Sequence, residues 1–378
     1  MSDRTTPPDA DRPANRDETR IIPVVSGSRD LLATEILELI LTDSVLDQAD
    51  APDSGVAPRR LTTRASTQDR VFEWISRGAG TLVLTIMSLV GLFLLIQGNQ
   101  ALSVAGFDFF TTEAWDPNSG NFGIAAVLAG TILIALTAIV LAVPLAVATA
   151  LYISEYAPRA IRQVLTSIVD LMAAVPSVVY GLWGMFLLEP NILGVSQWIS
   201  TYFGWIPAFA VTGFDPNDPL ASPTVFTAST FIAGIVVALM VAPIATSIMR
   251  EAFTQAPIGE REAALALGAT KWGMIRSVVL PFGRGGMIGG TMLGLGRALG
   301  ETIAVYLIIS PVFAVQPHIL EKGSNSISAL IALRYNEASP FEISALMAAG
   351  LALFVMTLFV NFGASIIIAK SRSGASSD

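Results

Sequence analysis

The sequence predicts an all-α membrane protein, six transmembrane helices preceded by a largely disordered N-terminal cytoplasmic tail. Three observations predict it. Six apolar runs are long enough to cross a hydrocarbon core of about 30 Å, which takes about 20 helical residues. Only 14% of the 378 residues are charged, against about 25% in an ordinary soluble domain. The charge is also segregated: residues 1–70 hold 9 Arg and 13 Asp/Glu, and the rest of the chain only 13 Lys/Arg and 17 Asp/Glu. A membrane barrel would need many alternating segments of about ten residues, and these runs are continuous.

The tail, 1–70, comes first. Residues 1–30 are rich in Pro, Asp, Arg and Thr and bury too little apolar surface to offset ordering entropy. No apolar core follows the N-terminus, so no cleavable signal peptide is expected. Leu31, Leu32, Ile36, Leu39 and Ile40 recur at helical spacing, with Asp30 as an N-cap, which predicts a short amphipathic helix over 31–47. From Ala49 to Pro58 the chain is linker-like. The net charge of −8 sits mostly in this tail, so it does not bear on steering of a substrate.

The transmembrane domain, 71–378, has spans near 79–97, 124–153, 164–188, 224–249, 282–315 and 342–369. Pro144 and Pro176 lie inside the second and third and would bend helices buried in protein. Arg59, Arg60, Arg64, Arg70 and Arg77 precede the first span, and Arg159 and Arg162 follow the second. Arg250, Arg261, Lys271, Arg276 and Arg284 flank the loop after the fourth, and Lys370 and Arg372 lie at the end. The opposite loops hold only Lys322 and Arg334, so both termini are expected in the cytoplasm. In those opposite loops Phe107, Phe109, Phe110, Trp115, Trp198, Tyr202 and Trp205 stand either as an interfacial aromatic belt or as a rim for an external partner.

Several chemistries are excluded. With no Cys there is no disulfide, thiol nucleophile or thiolate metal site. One histidine, His318, leaves no His-based zinc cluster, and no metal site is expected. None of Lys271, Lys322 and Lys370 follows a glycine, so there is no phosphate-binding P-loop. The chain is not expected to be an enzyme, and no catalytic residue is assigned.

The loop 250–281 is long for a connection between spans. Pro257 can start a helix, Glu260 to Ala266 favour one, and Gly268 can stop it. A second helical piece from Thr270 to Val279 leads to Pro281. Glu262-Ala263-Ala264, with Gly268 six residues after Glu262 and then Leu280-Pro281, matches the EAA loop of permease subunits of binding-protein-dependent ABC importers. The resemblance implies that Glu262, Ala263, Ala264 and Gly268 form a coupling helix that docks on a separate ATPase.

Span five is glycine-rich, with small-residue faces at Gly286, Gly290 and Gly294 and at Gly285 and Gly289, where helices approach closely. Arg297 lies near mid-membrane and Glu301 one turn further on. An intramembrane ionisable residue is a functional candidate. Either the two neutralise each other and hold helices together, or Arg297 offers a forked donor to an oxyanion while Glu301 holds or competes for it. Asp170 and Asn361 read as interhelical hydrogen-bond partners.

Gly294-Leu-Gly-Arg297-Ala-Leu-Gly300-Glu301-Thr302 resembles the corresponding span of the PstC family of phosphate permeases. So do Pro176-Ser177-Val-Val-Tyr180-Gly181-Leu-Trp183-Gly184, Ser154-Glu155-Tyr-Ala-Pro158, and Trp115-Asp-Pro117 followed by Phe122-Gly123. The resemblance covers roughly 75–370; residues 1–58 depart from it. It implies a type I ABC importer permease fold in a bacterial inner membrane and uptake of inorganic phosphate. It further implies a second permease (PstA-like), two ATPase subunits (PstB-like) that bind ATP and Mg, and an extracytoplasmic phosphate-binding protein (PstS-like). No cofactor or nucleic acid is expected on this chain. Arg297, Glu301, Ser177 and Tyr180 would line the pathway. Other oxyanions such as molybdate or sulfate, another small solute, a phosphate-sensing role, and an ion-coupled transporter remain rivals.

Overall fold

A computed structural model of the protein describes residues 67–215 and 222–372. The expected helix over 31–47 lies outside the described residues. The chain divides into two compact units, Met1–Ser76 and Arg77–Asp378. In the first, Thr67–Ser76 is helical; the second carries the helical bundle.

The bundle is built from the part of α1 (Thr67–Ala105) after Ser76, with α2 (Ala125–Leu151), α3 (Arg159–Ala174), α4 (Ser177–Trp183), α5 (Glu189–Phe203) and α6 (Thr230–Thr254). Beyond these come α7 (Ile258–Ala266), α8 (Lys271–Met274), α9 (Leu280–Phe282), α10 (Arg284–Leu299), α11 (Ile303–Ile308), α12 (Ile327–Arg334) and α13 (Pro340–Arg372). Short π-helical turns continue α2 over Tyr152–Tyr156, join α4 to α5 over Gly184–Leu188, and join α8 to α9 over Ile275–Val279. Among the described residues, five helical segments are long and apolar enough to cross a membrane, or six if the pair bent by 65° around Gly283 is one span. The only sheet among the described residues is a two-residue hairpin, Trp115–Asp116 with Asn121–Phe122.

Close contacts fix the helix directions. Gly234 of α6 lies against Thr137 and Ala138 of α2, and the Thr246 hydroxyl donates to the Ala146 carbonyl, so α2 and α6 run in parallel. The glycine face of α10 lies against α6 in the opposite sense: Gly286 meets Ala252, Gly290 meets Ala245 and Gly294 meets Val241. Gly285 and Gly289 have open space where a side chain would begin, so only one of the two small-residue faces is used within this chain. α13 packs antiparallel to α1, with Gly91 against Phe354, Gly98 against Ala348, and the Ala101 N–H on the Ser344 hydroxyl. The largest core, around Ile134, Val236, Val241, Val305 and Ile308, sits where α2, α6, α10 and α11 meet.

Two apolar runs are divided where continuous helices were expected. The run 164–188 breaks at Val175 and Pro176, both with extended backbone angles. Proline lacks the N–H and disfavours helix at the residue before it. Its first half is α3, which has no buried residue and carries Arg159 and Arg162 at its start. The segment Ser177–Phe203 runs on beyond residue 188. The run 282–315 stops at Leu299, resumes as α11, and is irregular after Ile308.

The aromatic residues of 98–123 also divide. Phe109, Trp115 and Phe122 are buried in a second core, and the Trp115 Nε1–H donates to Glu342 Oε1 at 3.2 Å. Phe107, Phe110, Trp198, Tyr202 and Trp205 are exposed.

Candidate functional site

Arg297 stands in the last turn of α10. One turn before it, Gly294 meets Val241, about halfway along α6. Arg297 is therefore at mid-bundle depth, and it is exposed. No described carboxylate lies within ion-pair distance of it. The expected exchange between Arg297 and Glu301 is absent because the helix does not continue. Gly300 ends α10, and the buried Glu301 carboxylate turns forward to accept the Ala304 N–H at 3.3 Å. Glu301 thus caps α11, leaving Arg297 without a counter-charge among the described residues.

Tyr180 lies within electrostatic range of Arg297. Its hydroxyl donates to the Met172 carbonyl at 3.0 Å, bridging the Pro176 break. Glycines set its position: a side chain at Gly181 would meet the Ala304 Cα at 2.9 Å, and one at Gly184 would meet Val236 at 2.6 Å. Only glycine lets α4 seat this closely on α11 and α6. Ser177 is half-buried at the start of α4. Of the four expected pathway residues, Arg297 and Tyr180 stand within electrostatic range of each other; Ser177 lies one turn before Tyr180, and Glu301 is set apart as a cap. Asp170 accepts from the Ser247 hydroxyl at 2.9 Å, an interhelical bond.

At the basic end of the bundle, loop 250–281 folds as a helix and a turn. α7 starts directly after Pro257, whose fixed φ and missing N–H suit a helix entrance. Gly268 takes φ +87°, a left-handed angle that closes a helix at low cost only for glycine. The Thr270 hydroxyl then caps α8 by accepting the Gly273 N–H. Glu262, Ala263 and Gly268 are exposed and Ala264 is half-buried.

The buried Met274, Ile275 and Val279 pack the loop against Ala146, Ala150 and Met249 of the bundle, and three contacts of charged side chains, none apparent in the residue pattern, add to this. Arg261 pairs with Glu155 at the end of α2 at 3.0 Å, and also donates to the Phe253 carbonyl at the end of α6. The Lys271 ammonium sits 4.7 Å from the centre of the Tyr156 ring, within cation–π range. Four large apolar side chains of the loop are exposed, Ile258, Leu265, Leu267 and Trp272, with Ile258 and Leu267 the most so, the latter 90% exposed. The EAA pattern marks the helix but not these neighbours. The alternation of Ala and Leu up to Gly268 was the available signal for Leu267.

Residues 142–373 match the family described as "Binding-protein-dependent transport system inner membrane component". The chain is 39% identical over 311 residues to "Phosphate transport system permease protein PstC 2" of Mycobacterium tuberculosis, covering 81% of this chain and 93% of that one. It is 35% identical over 320 residues to "Phosphate transport system permease protein PstC" of Xylella fastidiosa, covering 84% and 96%. Among solved structures, a bacterial ABC transporter involved in import of the acidic polysaccharide alginate aligns with TM-score 0.48 at 18% identity, over 80% of this chain and 99% of that one. An inward-facing form of the MetNI methionine ABC transporter aligns with TM-score 0.43 at 15% identity, over 66% and 94%.

Proposed function

The chain belongs to the PstC group of binding-protein-dependent inner-membrane transport components, and on that premise we propose that it is the permease subunit of an ATP-driven importer of inorganic phosphate. The observation that carries the cargo is its likeness, over nearly their whole length, to phosphate permeases. The geometry supports the same reading, because an exposed guanidinium at mid-bundle depth, with no described carboxylate in ion-pair range, suits an oxyanion. An arginine at the bilayer centre costs about 2.5–3.5 kcal/mol on insertion scales, and a passing anion offsets that cost while it is there.

In this reading the basic end faces the cytoplasm. ATP and Mg are bound by two PstB-like ATPase subunits, and a PstA-like permease completes the pathway. A PstS-like protein delivers phosphate at the opposite end. The chain performs no bond chemistry. Glu262, Ala263, Ala264 and Gly268 form the face that docks on the ATPase, with Ile258 and Leu267 as apolar knobs. Movement of α7 is carried through Arg261 to the ends of α2 and α6 at once. Because α6 holds α10 along its glycine face, that movement reaches the helix that bears Arg297. Tyr180 and Ser177 line the route beside Arg297, and Glu301 holds the break that leaves Arg297 open.

The test is uptake of labelled phosphate at low external concentration, in cells lacking their own copy but keeping the partner subunits. At matched membrane levels, Arg297→Gln is expected to lower uptake roughly 10- to 100-fold, the factor for a lost charge-assisted hydrogen bond of about 1.5–3 kcal/mol. Equal uptake by variant and wild type would reduce Arg297 to a packing residue. No uptake by wild type would remove phosphate as the cargo.

A further inference from the structure

We propose that a cavity between α3 and α6, at the basic end of the bundle, is a second anion site that takes a phosphate group. The cavity is open, about 500 Å³, and lined by Arg159, Arg162, Gln163, Thr166, Ser167 and Arg250. Each of these side chains carries at least one hydrogen-bond donor and none is acidic. Two of the arginines are held in place by single bonds. Arg250 Nη1 donates to the Thr166 hydroxyl at 2.9 Å, and Arg162 Nη2 to the Ala157 carbonyl at 3.4 Å. The Arg162 Nε is buried with no partner.

No described carboxylate lies within ion-pair distance of these three guanidiniums. The acid that follows on α3, Asp170, is engaged by Ser247. Arg261, at the same end, differs in charge balance: its Nε is also buried without a partner, but Glu155 supplies a counter-charge. Three like charges around one cavity repel, and an anion between them turns that repulsion into attraction. Guanidinium forks match the oxygens of a tetrahedral oxyanion two at a time, so several forks suit a phosphate group better than a single carboxylate. The start of α3 at Arg159, with no side-chain cap, adds the positive end of a helix dipole.

This site is separate from the one at Arg297. Tyr180, within electrostatic range of Arg297, donates to the carbonyl of Met172, and Arg162 lies ten residues earlier on α3, about 15 Å along the axis. Two sources share the required chemistry. Inorganic phosphate would pause there at the cytoplasmic mouth. A phospholipid headgroup would sit there with its chains against Ile161, Val164, Ile168 and Leu171, of which Leu171 is 70% exposed. The inference rests on charge and cavity geometry, and it stands whichever solute the importer carries.

The experiment uses the assembled importer with the full-length chain in nanodiscs of phosphatidylcholine alone or with phosphatidylglycerol. Equilibrium binding of labelled inorganic phosphate is compared for wild type, Arg297→Gln, and the double variant Arg162→Gln with Arg250→Gln. If the occupant is free phosphate, the phosphatidylcholine discs bind it, Arg297→Gln keeps that binding, and the double variant weakens it roughly tenfold or more. If the occupant is a headgroup, wild type retains phosphatidylglycerol through purification, measured by mass spectrometry, and the double variant does not. Should the double variant fail to assemble, Arg162→Lys with Arg250→Lys keeps the charge and loses the forks, and a drop in either binding is expected. Wild type and variants binding neither anion differently would overturn the proposal. A partner subunit that fills the cavity would give that same result.

Discussion

Among single residues, Glu155 has the largest reach. It is the counter-charge of Arg261, its side chain 5% exposed, and it sits where α2, α6 and α7 converge. Removing one partner of a buried pair leaves the other uncompensated, which costs about 3–5 kcal/mol when burial is complete. Arg261 keeps some solvent contact and its bond to the Phe253 carbonyl, so Glu155→Ala is expected to cost about 2 kcal/mol, below that range. The loss reads as a lower melting temperature of the reconstituted protein. If Arg261 also transmits movement, the variant hydrolyses ATP with less solute carried per turnover. A variant with lower melting temperature and unchanged coupling would confine the pair to stability. The sequence offered Glu155 as part of a resembling segment, with no sign of its partner 106 positions later. Trp115 is a parallel case. Its type fits either a belt or a rim, and only the fold shows it buried with Glu342 as acceptor.

At the scale of the element, α10 contains its own control. A side chain at Gly286 would meet the Ala252 methyl at 2.1 Å and one at Gly294 would meet Val241 at 2.5 Å, while Gly289 faces open space. Gly294→Leu overpacks the α6 contact and is expected to destabilise by about 1–3 kcal/mol. Gly289→Leu gains helix propensity and is expected to leave the isolated chain as stable as wild type or slightly more so. Thermal unfolding of the two variants in the same detergent checks the contrast. Equal destabilisation would mean that α10 does not use the 286–290–294 face. The spacing of four revealed both glycine faces, because a helix aligns such residues whatever it packs on. Which face would be used depends on where α6 lies, and local periodicity carries no such information. Long apolar runs reveal membrane helices for a similar reason, since the bilayer forces backbone bonding within each segment. The same runs conceal breaks. Pro176 and Gly300 both stand in the sequence, yet whether proline bends a helix or ends it is decided by its neighbours.

The two ends of the whole molecule are built differently, and that difference can be tested by pH. At the basic end the loop is anchored by the buried Met274, Ile275 and Val279 and by Arg261 and Lys271, and its tip around Leu267 is exposed. At the opposite end the connections are bonded to one another. The Ile319 N–H donates to Ala208, Phe231 to Ile319, Lys322 to Val225 and Gly323 to Ala228. Glu321 ties this weave together, its Oε2 accepting from the Thr212 N–H at 3.2 Å and paired with His318 Nδ1 at 3.0 Å. Burial alone would push the Glu321 pKa up. Hydrogen bonds from Thr212, His318 and Gln316 outweigh it and hold the carboxyl below its ordinary value of 4.5. A carboxyl lowered on folding stabilises the fold above its ordinary value, and that contribution is lost as pH falls through the lowered one. The loop 205–214 is therefore expected to stay protected down to pH 4.5 and to open below it, with faster hydrogen exchange at Thr212 than at the neighbouring α6 amides. Glu321→Gln keeps an acceptor but loses the charge, so its exchange is expected to be faster at neutral pH and to show no step on acidification. A step of the same size in both proteins would assign the opening to another group and leave Glu321 a bystander in the weave.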